Sequence, residues 1–330
     1  MRSVTSAPGQ GVRADNRSRG TSVRLRTATA ARRTGGTVTD ALGITFKDTV
    51  AEGSQRLART WPALLATGFV GGIDVSIGLL GMLLVKHHTG SDLLAAVVFS
   101  AGFIALTLAN SELFTENFLV PVVAVAADKG TLAQVLRLWG GTAVTNLLGG
   151  CLMVFIMITA EPELGETGVE LGATFIERGV SMEAFASAVL AGVVITLMTW
   201  MQHGTRSVFG KLTAAIVAAF LLAYGHLSHV IVASLEVFAG ILGGADTGYL
   251  DWAGQFLLWA AGNAVGGLGL VTVLRLVQVG PKRLQREQER EVPIEEDAEP
   301  DADPGGGDED PPSNDGDTGD DGDTERNETE

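Results

Sequence analysis

Cysteine is all but missing from this chain: Cys151 is the single one in 330 residues. No disulfide or cysteine metal site can form within one copy, and in its apolar run Cys151 reads as a small buried hydrophobe. Hydrolase signatures are missing too. There is no HExxH and no GxSxG, so zinc and serine chemistry of those types is excluded. The 43 glycines form no P-loop or dinucleotide fingerprint in its proper context. No enzymatic activity, cofactor or metal is expected. The first thirty residues hold no apolar core for a cleavable signal peptide, and none follows Arg32-Arg33.

Charge is scarce in the middle and crowded at the ends. The net charge is −15, but residues 1–40 carry +6 and residues 291–330 carry −17, leaving −4 for residues 41–290. Hydrophobic residues make up 46% and the mean hydropathy is +0.27. The reading is a greasy body between a basic tail, 1–40, and an acidic tail, 284–330. Both tails are expected to be disordered, because neither can bury enough apolar area to fold. No folded module accompanies the basic tail, so no nucleic-acid partner is expected, and the acidic tail lacks EF-hand spacing. Residues 41–60 read as an amphipathic helix lying at a membrane surface, leaving 61–283 as the membrane domain.

Hydropathy places apolar regions at about 62–85, 92–127, 132–160, 183–202, 212–244 and 252–279. The second and fifth are too long for one straight span. A continuous helix of that length would run about 50 Å across a hydrocarbon core of about 30 Å. Each is interrupted by a polar cluster, "NSELFTEN" at 110–117 and "YGHLSH" at 224–229. Irregular backbone at membrane depth survives only inside protein or along a watery path. Interrupted helices in matching positions of two halves point to a transport site. The halves also share N-x-x-G-G, at Asn146-Gly149-Gly150 and Asn263-Gly266-Gly267. The fold class expected is therefore an all-α integral membrane protein. It has six crossings and an inverted 3+3 repeat with broken second and fifth helices. The intervening loops carry Lys and Arg mostly on one side, Arg56, Arg59, Lys129, Arg137, Arg206 and Lys211 against Lys86 and Arg178. That bias puts both termini in the cytoplasm of a cell that inserts the chain in its inner or plasma membrane. Trp61, Trp139, Trp252 and Trp259 near span ends read as an interfacial belt.

The strings "ELFTEN" at 112–117, "TWMQ" at 199–202, "HVIVASLE" at 229–236 and "GNAVGG" at 262–267 resemble the formate/nitrite transporter family in order and spacing. The Glu of "FTEN" and the "HVIVASLE" string look most like its YfdC-type branch. The resemblance implies an aquaporin-like bundle assembled as a homopentamer, with one pore per protomer for small monovalent anions such as formate, nitrite, hydrosulfide or lactate. It assigns the loop threonine to Thr115, the central histidine to His229 and a neighbouring polar residue to Asn263. Phe99, Phe103, Leu113, Ile195 and Leu222 are the candidates for the apolar constriction. Three positions depart from the family. An asparagine of the fourth crossing falls on Gly192. A vestibule lysine falls near Ile176, with Arg178 close by. Glu116 replaces a small residue after the loop threonine.

An ionisable residue at mid-membrane is a functional candidate by default, and His229 can exchange a proton near neutral pH. Its other reading is a histidine that only bonds neighbouring backbone. Thr115 reads either as a substrate hydroxyl or as a helix cap. Asn263 either orients His229 or Thr115 or joins two helices. Glu116 and Glu236 are candidates for proton relay. Two other functions fit the pattern less well. One is a pore for neutral solutes, although no Asn-Pro-Ala pair is present; the other is a membrane scaffold without transport.

Overall fold

The computed structural model describes residues 41–290, and the expectations for 1–40 and 291–330 lie outside the described residues. Within that range the chain is helical throughout. Five helices are long and apolar enough to cross a membrane. Helix α1 covers 41–58. It is followed by α2 (Trp61–Thr89), α3 (Asp92–Ala109), a 3-10 turn (Phe114–Phe118) and α4 (Val120–Ala126). Then come α5 (Leu132–Ala160), α6 (Leu164–Ile176), α7 (Met182–His203), α8 (Val208–Tyr224) and α9 (Val230–Leu242). The last long helix, α10 (Tyr249–Ala264), continues through a π-helical stretch (Val265–Thr272) into α11 (Val273–Val279), and α12 (Pro281–Gln288) follows.

Helix starts follow local chemistry. Ser91, Thr131, Ser181 and Ser207 each accept a backbone N–H of the first turn, the usual use of a hydroxyl at an N-cap. The π stretch has a visible cause. The Thr272 hydroxyl bonds the Gly267 carbonyl at 3.0 Å and the Phe118 carbonyl at 2.9 Å, so it opens the ladder of its own helix and ties it to the 3-10 turn.

The packing repeats itself. Helix α2 lies between α3 and α5, and α7 lies between α8 and α10. Glycine permits the closest approaches. A Cβ on Gly72 would stand 2.1 Å from the Asn146 carbonyl oxygen, and one on Gly192 would stand 2.2 Å from the Asn263 carbonyl oxygen. Gly192, read above as the place of a missing asparagine, has no room for any side chain.

Three expectations change. The chain expected to be structureless from residue 284 is helical in α12 as far as Gln288. The apolar side of α1 is covered by protein: Phe46 and Val50 are buried in one cluster with Leu119, Val120, Val123 and Trp200. Gly53 brings α1 so close to α4 that a Cβ would meet the Val120 carbonyl at 2.3 Å. Trp259 is fully buried and packs edge-on against Phe175, so it belongs to the core and leaves the aromatic belt.

Candidate functional site

The two polar clusters interrupt helices, and each interruption turns on a non-glycine residue with positive φ, Asn110 at 53° and His226 at 43°. Such backbone costs about 1–3 kcal/mol and persists only where the surroundings impose it. The surroundings here are two asparagines. Asn146 Oδ1 accepts the Phe114 N–H at 2.8 Å, while its Nδ2 donates to the carbonyls of Gly68 (2.6 Å) and Glu112 (2.9 Å). Asn263 Oδ1 accepts the Val230 N–H at 2.9 Å, while its Nδ2 donates to the carbonyls of Ala188 (2.8 Å) and Ser228 (3.0 Å). Both amides are buried and carry three bonds each. Two of each three satisfy backbone groups that a broken helix leaves open, and the third ties the amide to a carbonyl of α2 or α7. Asn263 therefore clamps backbone beside His229 and does not bond the imidazole.

Thr115 and His229 meet between these clamps. Thr115 Oγ1 and His229 Nε2 are 2.6 Å apart, and both residues have zero exposure. His229 is also the N-cap of α9, where its Nδ1 accepts the Val232 N–H at 3.2 Å. In the neutral ring an accepting Nδ1 leaves the proton on Nε2, so Nε2–H donates to Thr115. The Thr115 hydroxyl hydrogen then remains available to another acceptor. One ring thus bonds both the backbone of its own helix start and Thr115.

Phe99, Phe103, Leu113, Ile195 and Leu222 are all buried and belong to one apolar cluster. Phe99 and Phe103 stack at a tilt with centroids 5.8 Å apart. Glu236 is buried in α9, two turns beyond His229. Arg178 donates to the His226 carbonyl at 2.7 Å and lies over the Phe175 ring, tying the end of α6 to the second interruption.

Sequence reasoning missed Arg56. Its guanidinium is carried by α1 and is buried among acids. Arg56 Nε lies 3.0 Å from Glu112 Oε1; Arg56 also donates to Glu52 Oε1 and, from Nη1 at 3.1 Å, to Asn117 Oδ1. Glu116 Oε2 is 3.9 Å from Nη1. Arg59 bonds the same Glu112 oxygen, and His203 Nε2 lies 2.8 Å from Glu52 Oε2. All of these but Asn117 border a cavity of about 460 Å³ that also touches Thr107, Asn110, Thr199 and Lys211. Burial opposes ionisation of Glu52, but Arg56 and His203 outweigh it and hold its carboxyl well below the usual carboxylate range. The signal in the sequence was an arginine at the end of an amphipathic helix, which also fits a lipid headgroup partner. Among the described residues no cluster of His, Cys, Asp or Glu has the arrangement of a metal site.

Comparison with known proteins follows the same lines. The family model described as Formate/nitrite transporter matches residues 44–277. Inner membrane protein YfdC of Escherichia coli (strain K12) is 28% identical over 242 residues, covering 69% of this chain and 76% of that protein. Formate channel BtFdhC of Bacillus thuringiensis is 27% identical over 241 residues, covering 67% and 89%. A solved pentameric formate channel with formate bound superposes with a TM-score of 0.56 at 21% identity. That match covers 65% of this chain and 95% of the other, and shows a common fold. With the matched model spanning well over half its length, this chain belongs to the formate/nitrite transporter family.

Proposed function

We propose that the chain is a membrane channel for small monovalent anions, weak acids of the formate and nitrite kind, with proton exchange at His229. The observation that carries this reading is the Thr115–His229 contact. It joins the two interrupted helices inside an otherwise apolar, fully buried layer. An anion entering such a layer loses several kcal/mol of hydration. The Thr115 hydroxyl, relieved of donating to His229, can give its hydrogen to the anion. A proton shared through Thr115 and Nε2 lowers the charge that must cross. Phe99, Phe103, Leu113, Ile195 and Leu222 form the dry constriction of this pathway. Asn263 holds its backbone, and Glu116, Glu236 and Arg178 stand along its approaches.

The architecture that goes with it has six crossings in an inverted 3+3 repeat. Interrupted helices α3–α4 and α8–α9 serve as the second and fifth. The recurrence of the Asn146 and Asn263 clamps and of the Gly72 and Gly192 contacts supports it. The cargo class is taken from the relatives named as formate channels, and the homopentamer from the pentameric one. The membrane domain runs over 61–283 in the inner or plasma membrane, with basic and acidic tails in the cytoplasm. Exposed Leu148, Leu152, Phe155, Leu257 and Leu274 give it surface for lipid and for neighbouring subunits. No catalysis is assigned to it.

Uptake into sealed proteoliposomes tests the reading. Formate, nitrite, lactate, hydrosulfide and glycerol are compared at several pH values for wild type and His229→Ala. The expected result is weak-acid uptake that rises as external pH falls and that loses its proton coupling in the variant. Glycerol flux indifferent to the substitution, with no anion flux, would overturn it.

A further inference from the structure

The cavity below the interruption at Asn110–Leu113 is built from opposed charges. Asp48, Glu52, Glu112 and Glu116 line it, against Arg56, Arg59, Lys211 and His203. Asp74 of α2 faces the same region through its bond with Ser111. His203 points Nδ1 at the Thr199 carbonyl and Nε2 at Glu52 Oε2, acceptors both, so its ring carries both protons and four acids meet four cations. An anion that enters alone leaves the lining one negative charge in excess.

The carboxylates are not equally satisfied. Glu52 is bonded by Arg56 and His203. Glu112 Oε1 takes both Arg56 and Arg59, while its Oε2 is buried without a partner. Glu116, 4% exposed, reaches Arg56 only at 3.9 Å, from Oε2 to Nη1. It follows Thr115 in the 3-10 turn Phe114–Phe118, so one short turn carries both the cavity's Glu116 and the partner of His229. Beside it, Asn117 Nδ2 is a buried donor without a partner.

We propose that this cavity is a proton-linked anion site. A small monovalent oxyanion docks against Arg56 on the side now faced by Glu116, and Glu116 takes up one proton from solvent as the anion binds. The inference rests on the anion-channel reading and adds to it a second proton site, distinct from His229. The balance is simple: one anion and one proton enter, and the cavity's net charge does not change. Protonated Glu116 becomes a donor to the anion, where the ionised group would repel it. Arg56 supplies the Nη1 edge that hydrogen-bonds only Asn117 on its other side.

Nitrite is the probe, because it adds no carboxyl band of its own. The full chain in detergent is titrated with nitrite by calorimetry in two buffers of different ionisation heat. Infrared difference spectra are taken on the same samples. Wild type is expected to take up about one proton per nitrite and to show a new protonated-carboxyl band. Its Kd is expected to weaken about tenfold per pH unit where the linked group is ionised. Glu116→Gln should still bind nitrite, with no proton uptake, no new band and a flat pH profile. Arg56→Lys should weaken binding at least tenfold, since a point charge does not replace the guanidinium fork. Nitrite binding by wild type without proton uptake, or uptake unchanged in Glu116→Gln, would overturn the proposal while leaving the channel reading intact. Absence of both nitrite binding and weak-acid flux in wild type would remove the channel reading itself. The wild-type titration decides even where a variant does not fold.

Discussion

His229 Nε2 and Thr115 Oγ1 stand 2.6 Å apart, although 114 residues separate them in the chain. The ring is fixed from the other side by Val232, so its direction is set by the start of α9 and does not depend on what occupies the pathway. Thr115→Val keeps the shape and removes the hydroxyl. It leaves Nε2–H without an acceptor and the entering anion without a donor. Hydrogen bonds to charged groups contribute about 1.5–3 kcal/mol, so formate or nitrite flux is expected to fall about 10- to 100-fold. Stopped-flow uptake measures it. A lowered Tm with unchanged flux would reduce the pair to a structural contact.

The two asparagine clamps make a separate prediction about stability. Asn146→Ala and Asn263→Ala each strip three hydrogen bonds from backbone groups that no water reaches. Each is expected to cost about 1–3 kcal/mol and to lower thermal stability in detergent by a similar amount, because the two sites are alike. Thermal unfolding of the purified variants checks it; a neutral change at either position would mean that the interruption holds its shape without the amide.

Gly192→Ala addresses packing alone. The added methyl would lie 2.2 Å from the Asn263 carbonyl oxygen, backbone that cannot swing aside, so α7 and α10 must separate. Overpacking of this kind costs about 1–3 kcal/mol and sometimes more. Reduced yield of folded protein is expected, with loss of flux in what remains, since Asn263 moves with α10. Gly140→Ala, at a site with open space, should leave both measurements unchanged.

How much of this was readable beforehand depends on what kind of signal each feature leaves. The helix interruptions were readable because length is a hard constraint. The apolar regions at 92–127 and 212–244 are too long for one straight span, and each contains a polar cluster. Resemblance singled out Thr115 and His229 one by one, but their pairing was not legible, since nothing local links residues 114 apart. Helix α6 was hidden in the acidic connection "EPELGETGVELGATFIERG". Its glycines are the trace it left: Gly165, Gly168 and Gly172 bring its backbone against Gly243, Ala239 and Val237. Small residues at such spacing allow close helix contact. The burial of Arg56 was not legible. Hydropathy shows that α1 has an apolar side but not whether lipid or protein will cover it.

That same α1 gives the pH prediction. Glu52 is held on Arg56 and His203, and its carboxyl lies well below its ordinary 4.5 because these partners outweigh burial. A group whose folded-state pKa is lowered stabilises the fold fully above its unfolded value, and that contribution fades as pH falls through the folded one. Docking of α1 is therefore expected to hold from neutral pH down through the ordinary carboxylate range and to loosen only in stronger acid. Glu52→Gln removes the linkage: amides of residues 45–57 should exchange faster at neutral pH, with a dependence on acid weaker than wild type. Hydrogen exchange read by mass spectrometry across that range measures both. If α1 of wild type and of Glu52→Gln exchanged identically and stayed protected throughout the range, the helix would owe its place to Phe46, Val50 and the close approach at Gly53, and the acid–base contacts would be passengers on an apolar seat.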